Sequence, residues 1–442
     1  MKRLHAFAAA GIAALLAGSL ALAQSSFGGL WNTLPAWTGP LTGNEWFPGD
    51  THLLQGASPQ TAGYTSNGLA GYAQGVTAGF GNYLIGGDAS TNLFQRATPG
   101  ASETTTFAYG GPDRWAYWSG TSTAMTVSQD STAGDLPPAT KNAFKMARTS
   151  GQTGVVQMCM AQEVESANVY GLEGKTVELD FDAFTGANFS AAAPYNMTAY
   201  IVTGTGTDEG MQKLAWGLNA GGGGSTAWAG QANATAAVIP LGGVSTLGRY
   251  MAVANIPAAA TEIGVALCYT PVGTAGTNDY IAFSNIQLLR STNGGLVSTT
   301  AGYSSVSSPV TATQRRSAAQ EATLQQRYFI QINEPAASKA VGNGSYLTAT
   351  ICDVQIPLPT QMRIAPTLTI GGTTESATTW AVMVGSTTPV ALATTFLVQD
   401  AVVGNTVNMI AVQGTTASKA VLDPCTLVGA GGGANIQASA EL

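Results

Sequence analysis

Charge is what this chain most lacks. Only 9% of its 442 residues are Asp, Glu, Lys or Arg, against about a quarter in an ordinary globular protein. A chain so poor in charge has few of the ion pairs that support long helices. With 55 glycines and many Ala, Ser and Thr residues it has turn formers in excess, which points to an all-β protein with extensive loops. Histidine is nearly missing: His5 and His52 are the two present. That removes His-dependent nucleophilic catalysis and His-rich metal sites. Lys and Arg are scattered apart from Lys2-Arg3 and Arg315-Arg316, and the net charge is −7. Without a basic stripe, no nucleic-acid partner is expected. A surface made soluble by Ser, Thr and Asn suits a protein locked into a large assembly.

Cysteine is sparse too. Cys159, Cys268, Cys352 and Cys425 stand far apart, and no C-x-x-C spacing occurs to suggest zinc or redox chemistry. Cys159 and Cys268 fall in one expected domain, Cys352 and Cys425 in another. Two intradomain disulfides and four buried free thiols are both open readings. No cofactor is expected.

What is present begins at the N-terminus. Met1-Lys2-Arg3-Leu4-His5 is basic, Ala6–Leu22 is apolar, and Ala21-Leu22-Ala23 precedes Gln24, the layout of a secretory signal peptide cut after Ala23. Retention of residues 1–23 as an apolar segment is the other reading, with the run of 17 residues near the lower limit for a membrane span. Residues 24–91 have no helical period, and Trp31, Trp37 and Trp46 sit among Gly and Pro. They are expected to form an extended docking arm.

From Asn92 the pattern sharpens. Residues 92–290 are expected to fold as a central jelly-roll β-sandwich, with turn signals between short strands. Phe94, Phe107, Tyr109, Trp115, Tyr117 and Trp118 crowd into the start of this region. Such aromatics either fill a sandwich core or make a sugar-stacking platform. Trp115, Trp118, Trp216 and Trp228 are therefore the candidate glycan-binding residues. Thr176–Phe184 alternates strictly, with Val177, Leu179 and Phe181 on one face and Glu178, Asp180 and Asp182 on the other. Three carboxylates on one strand face could hold calcium through oxygen, or form the solvated face of a sheet. Asp180 and Asp182 also have a glycosidase-like spacing, though an unspecific one. Further strands are expected at 197–202, 213–216, 236–240, 248–255, 262–270 and 279–288. Gly221–Gly224 lacks the Gly-Lys-Ser/Thr ending of a phosphate loop. Residues 291–325 read as a Ser/Thr-rich linker and short helix, and 326–442 as a second, small C-terminal β domain.

Several strings have a familiar order. Asn92-Leu-Phe-Gln-Arg96, Asp113-Arg-Trp115, Leu172-Glu-Gly-Lys-Thr-Val-Glu-Leu-Asp-Phe181 and Asp279-Tyr-Ile-Ala-Phe-Ser-Asn-Ile-Gln-Leu288 resemble the jelly-roll domain of bacteriophage tail-fibre and related virion appendage proteins. Gln326-Arg-Tyr-Phe329, Ile356-Pro-Leu-Pro359 and Met362-Arg-Ile-Ala-Pro366 resemble the small β domain that ends such fibres. The resemblance implies a homotrimeric, non-enzymatic appendage on the virion surface with a carbohydrate-binding-like sandwich. It would join other virion proteins through the N-terminal region and meet a host surface carbohydrate. The signal-like N-terminus argues instead for a secreted bacterial surface or appendage protein. A glycan-degrading spike is a third reading, against which no isolated carboxylate pair or triad stands out.

Overall fold

A computed structural model describes residues 46–50, 61–65, 81–89, 95, 101–103, 107–109, 113–119, 125–138, 140–192, 195–219, 226–291, 303–305, 313–333, 340–371, 380–384, 389–391, 396–397, 408–415, 420–429 and 435–441. The apolar segment 1–23, most of the arm and the linker, Phe94 and the glycine loop 221–224 lie outside the described residues. The chain divides into two units, Met1–Ala73 and Gln74–Leu442. In the first, β1 (Trp46–Asp50) pairs antiparallel with β2 (Thr61–Thr65).

The second unit begins with a sandwich. One sheet has five strands in the order β10 (Ala232–Pro240), β9 (Asn196–Gly204), β12 (Glu262–Tyr269), β7 (Met158–Val164) and β4 (Ala116–Ser119). The facing sheet runs β14 (Tyr303–Ser305), β11 (Leu247–Asn255), β8 (Thr176–Thr185), β13 (Tyr280–Arg290), β6 (Ala143–Arg148), β5 (Met125–Asp130) and β3 (Ala101–Glu103). Between β7 and β13 the chain changes sheet at most connections, the winding of a jelly roll. Period-two alternation explains the core between the sheets: Val177, Leu179 and Phe181 from β8 meet Met197, Ala199 and Ile201 from β9. Trp115, Phe144 and Phe283 join them, each such buried ring stabilising the fold by roughly 2–3 kcal/mol.

Two expectations are corrected here. Residues 213–216 are not a strand but part of helix α2 (Met211–Asn219); α1 is the short helix Ser166–Val169. Met211, Leu214 and Ala215 are buried, and Leu218 packs beside them. That i, i+3, i+4, i+7 spacing belongs to a helix laid on a sheet. The boundary of the docking arm at 91 also falls too late. Residues 81–89 are part of the sandwich, where Leu84 and Ala89 are buried in the core. Tyr83 donates to the Leu288 carbonyl and Ile286 to that of Gly87, at 3.0 and 2.7 Å. A side chain at Gly87 would collide with the Ile286 carbonyl, so the close approach requires glycine. It occurs where β13 bulges against β8, between Ser284 and Gln287.

Helix α3 (Ala318–Gln326) leads to the second β domain and opens on a capping box between Ser317 and Gln320. A three-stranded sheet, β15 (Phe329–Asn333), β24 (Asn435–Ser439) and β18 (Thr367–Gly371), accompanies a seven-stranded one. The latter has the order β20 (Pro389–Ala391), β19 (Trp380–Val384), β23 (Pro424–Gly429), β16 (Ala340–Tyr346), β17 (Ile351–Pro357), β22 (Met409–Thr415) and β21 (Phe396–Leu397). Ile330, Ile436 and Ala438 from the small sheet share a core with Tyr346, Val354, Trp380, Ile410 and Leu427 from the large one. The protein is an all-β sandwich protein. Among the described residues no helix is long and apolar enough to cross a membrane.

Candidate functional site

The tryptophans offered as sugar platforms are mostly interior. Trp115 is fully buried, donates its indole N–H to the Ile85 carbonyl at 3.1 Å and lies 5.6 Å from Phe144. Trp118 is on the outer face of the five-stranded sheet, buried in a cluster with Trp228, Met211 and Leu214 from α2 and the loop after it. Trp228 donates to the Gly210 carbonyl at 2.8 Å. Gly264 beneath has no Cβ to block it: one would sit 2.2 Å from Leu214 and 2.9 Å from Trp228. Trp216 is half-buried. Three of the four rings thus have no free face for a ligand: Trp115 lies in the core between the sheets, and helix α2 closes over Trp118 and Trp228 on the outer face.

The strand carboxylates are also not as expected. Glu178, Asp180 and Asp182 lie on the outer face of β8, yet all are buried. Arg249 reaches Asp182 at 3.2 Å and Asp180 at 3.9 Å. Asn285 donates to Asp182 at 2.6 Å, Gln287 to Asp180 at 3.0 Å, and Ser291 to Glu178 at 2.8 Å. Residues 313–315 come back across this face: Gln314 N–H donates to Gln287 and Arg249 to Thr313. The face is not solvated: one oxygen of each carboxylate accepts from a protein donor, and Asp180 Oδ1 is buried with no partner among the described residues. Among the described residues no three His, Cys, Asp or Glu side chains gather as a metal site. Burial first, and then Glu178, push the Asp180 carboxyl up to about 7.

All four cysteines are paired. Cys159 and Cys268 are directly opposite on β7 and β12, with Cα atoms 4.1 Å apart, the spacing of a non-hydrogen-bonded antiparallel pair. Cys352 joins Cys425, from β17 and β23.

A feature that sequence reasoning missed lies between the sandwich and the C-terminal domain. Arg114 is buried; it reaches Glu441 at 2.9 Å, donates to the Glu163 carbonyl at 2.6 Å and stacks 3.8 Å from the centre of the Tyr328 ring. Glu165 accepts from Arg327 at 2.8 Å and from the Tyr328 hydroxyl at 3.0 Å. Arg363 pairs with Asp208 at 3.1 Å and donates to the carbonyls of Ala440 and Glu441. Arg316 pairs with Glu321 and donates to the carbonyls of Leu84 and Asn82, while Gly86 N–H donates to Glu321. Helix α3 is thereby tied to residues 81–89. Within this joint the Glu163 carboxyl and one Glu262 oxygen are buried with no hydrogen-bond partner among the described residues. Burial outweighs the pull of Arg114, and Glu262 adds repulsion, so Glu163 is pushed up to about 8 and is mostly protonated at neutral pH.

One aromatic face stays partly open. Ala108 exchanges both backbone hydrogen bonds with Tyr117 at 3.0 Å, which turns Phe107 and Tyr109 outward beside Trp118. Their rings meet edge to face at 5.1 Å. Tyr200 stands on the same face of β9 and accepts from the Gln157 amide at 3.4 Å. All four side chains are half-buried. The alternation of Thr198, Tyr200 and Val202 was the signal that could have found Tyr200.

No family model matches the chain, and no curated protein does. Among solved structures it is similar to the enzymatically active domain of tailspike protein 4 from bacteriophage CBA120, at 14% identity and TM-score 0.25 over 48% of this chain and 22% of that one. It is also similar to a carbohydrate-binding module, CBM4, at 12% identity and TM-score 0.25 over 46% of this chain and 100% of the other. A third is the CBM22-1–GH10 portion of Clostridium thermocellum xylanase 10B, at 10% and 0.23 over 44% and 29%. The chain thus spans under a third of the tailspike and xylanase chains it matches. Likeness at this level says nothing about what the chain binds.

Proposed function

We propose that this chain is a non-catalytic structural protein of a virion fibre or spike, which holds an attachment surface for a host surface glycan. The observation that carries this reading is the joint. Arg114, Arg327 and Arg363 each bridge from one β domain to the other through partly or fully buried ion pairs. Three ion pairs in one joint tie the two domains to each other. Domains tied in this way suit display at a set orientation. They do not suit a cleft that opens and closes around a substrate. The candidate acid–base pair Asp180 and Asp182 supports a non-catalytic role, being buried and engaged by Arg249, Gln287 and Asn285. The half-open face of Phe107, Tyr109, Tyr200 and Gln157 supplies rings for sugar C–H groups and an amide for hydroxyls.

A second reading, a secreted bacterial surface or appendage protein, is favoured by the disulfide in each β domain. Such bonds persist in oxidising compartments.

The test is binding of the full chain to a panel of immobilised bacterial surface polysaccharides, with Tyr109→Ala and Tyr200→Ala beside it. Saturable binding is expected, weakened roughly tenfold in a variant, or about 1.4 kcal/mol, with thermal unfolding unchanged. Binding to no glycan overturns the attachment role. Shortened polysaccharide chains in the same wells overturn the non-catalytic role.

A further inference from the structure

The end of the sandwich opposite the joint carries four connections with no charge. Residues 149–157, 186–192, 241–246 and 270–278 contain no Asp, Glu, Lys, Arg or His. Strand directions put all four at one end. Arg148, Thr185 and Tyr269 finish β6, β8 and β12 there, while Met158 and Leu247 begin β7 and β11. The joint residues Glu163, Glu165, Asp208 and Glu262 lie at the other end of the same strands. Val155, Val244, Leu247 and Val272 are four of the nine large apolar side chains exposed among the described residues, and all four are at the uncharged end.

This end is pre-ordered by one buried ion pair. Arg148 and Asp279 meet at 2.8 Å with both side chains fully buried. The same guanidinium donates to the carbonyls of Gln152, Gly154 and Gly273 at 2.9, 2.7 and 3.0 Å, and to Ser190 at 2.9 Å. Three connections therefore hang from a single side chain. Backbone bonds join them further: Gly151 to Ala275, Ala275 to Gln152, Val272 to Ser190 and Asn188 to Asn278, at 2.7–3.1 Å. Thr185 ties the fourth connection through the carbonyls of Gly243 and Thr246.

We infer that this uncharged loop end is the surface through which copies of the chain associate with one another. The occupant follows from charge. Each copy carries −7, so like copies repel wherever acidic surface faces acidic surface. Four uncharged connections, with four exposed aliphatic side chains in or beside them, are where that repulsion is least and apolar surface can be buried. Ordered loops lose little freedom on docking. A contact without ion pairs is also insensitive to salt. The inference rests on the reading of the protein as a multi-copy structural component.

Sedimentation of the full-length chain, at low and high salt, tests it. The expected result is an oligomer at both salt levels, driven to monomer by Val155→Glu with Val272→Glu. Tyr170→Glu, at an 83% exposed position on the joint side, is expected to leave the oligomer unchanged. Should the double variant not fold, Val244→Glu in the fourth connection replaces it. A variant that folds and keeps the wild-type mass overturns the proposed surface while leaving the multi-copy reading standing. A wild-type chain that stays monomeric at every concentration overturns both.

Discussion

Replacing Glu163 with glutamine changes one buried carboxyl into an uncharged group of the same shape. The folded carboxyl titrates at about 8 and its ordinary value is 4.5. Between those pH values the folded protein keeps a proton that the unfolded chain releases. Stability therefore falls as pH rises, by about 1.4 kcal/mol per unit, and levels off above the folded value. The full cost of the ionised side chain approaches about 5 kcal/mol, a ceiling set by the 3.5-unit separation. Glu163→Gln carries no such cost. Urea unfolding followed by fluorescence of the buried tryptophans, from pH 5 to 9, should show wild type and variant close together at pH 5. They should diverge steadily, with the variant several kcal/mol more stable at pH 9. Parallel curves would refute the reasoning, because they would mean Glu163 ionises in the folded protein as it does in water.

Three other outcomes follow from the same structure. Asp180→Asn removes a second carboxyl raised by burial and by Glu178, to about 7 from 3.8; its advantage over wild type should grow from pH 4 to 7 and reach at most about 4 kcal/mol. Arg114→Met leaves Glu441 in the joint without its ion-pair partner and should cost about 3–5 kcal/mol. Calorimetry would then resolve separate unfolding of the two β domains, whereas a single unshifted transition would mean that the joint does not couple them. Cys352→Ser with Cys425→Ser opens a closure of 73 residues, worth about 4 kcal/mol by loop entropy. Without reductant the variant should unfold at lower urea than the wild type, and reductant should shift it less, because Cys159–Cys268 remains in both.

Strand patterning was the most legible part of the fold. The alternation through 176–184 located β8 because its inner face carries Val177, Leu179 and Phe181, and burial on one face leaves a period of two. The fate of the other face was not legible. Its burial depends on residues 313–315 returning over 100 positions later, which no local window contains. The same limit hid residues 81–89, whose bonds go to Ile286 and Leu288. The 211–219 stretch was misread for another reason: four apolar residues at helical spacing, in a region dense with strands, were cut to a four-residue run. The joint is the instructive case. Asp113-Arg114-Trp115, Gln326-Arg327-Tyr328-Phe329 and Met362-Arg363 were singled out as strings on separate domains. The structure brings Arg114, Tyr328, Arg327 and Arg363 together, but the carboxylates they meet, Glu165, Asp208 and Glu441, had no sequence signal of their own.

Arg114 and Glu441 are 327 positions apart, and that separation has a kinetic consequence. While the sandwich emerges during synthesis, Arg114 has already been drawn under the sheet edge, yet its counter-ion has not been made. β15 likewise waits for β24, its neighbour in the small sheet. Contacts of such long range are slow to form, because the loop must close before the contact rewards it. The joint is therefore closed last, when residues 435–441 bring Glu441 to Arg114 and β24 to β15.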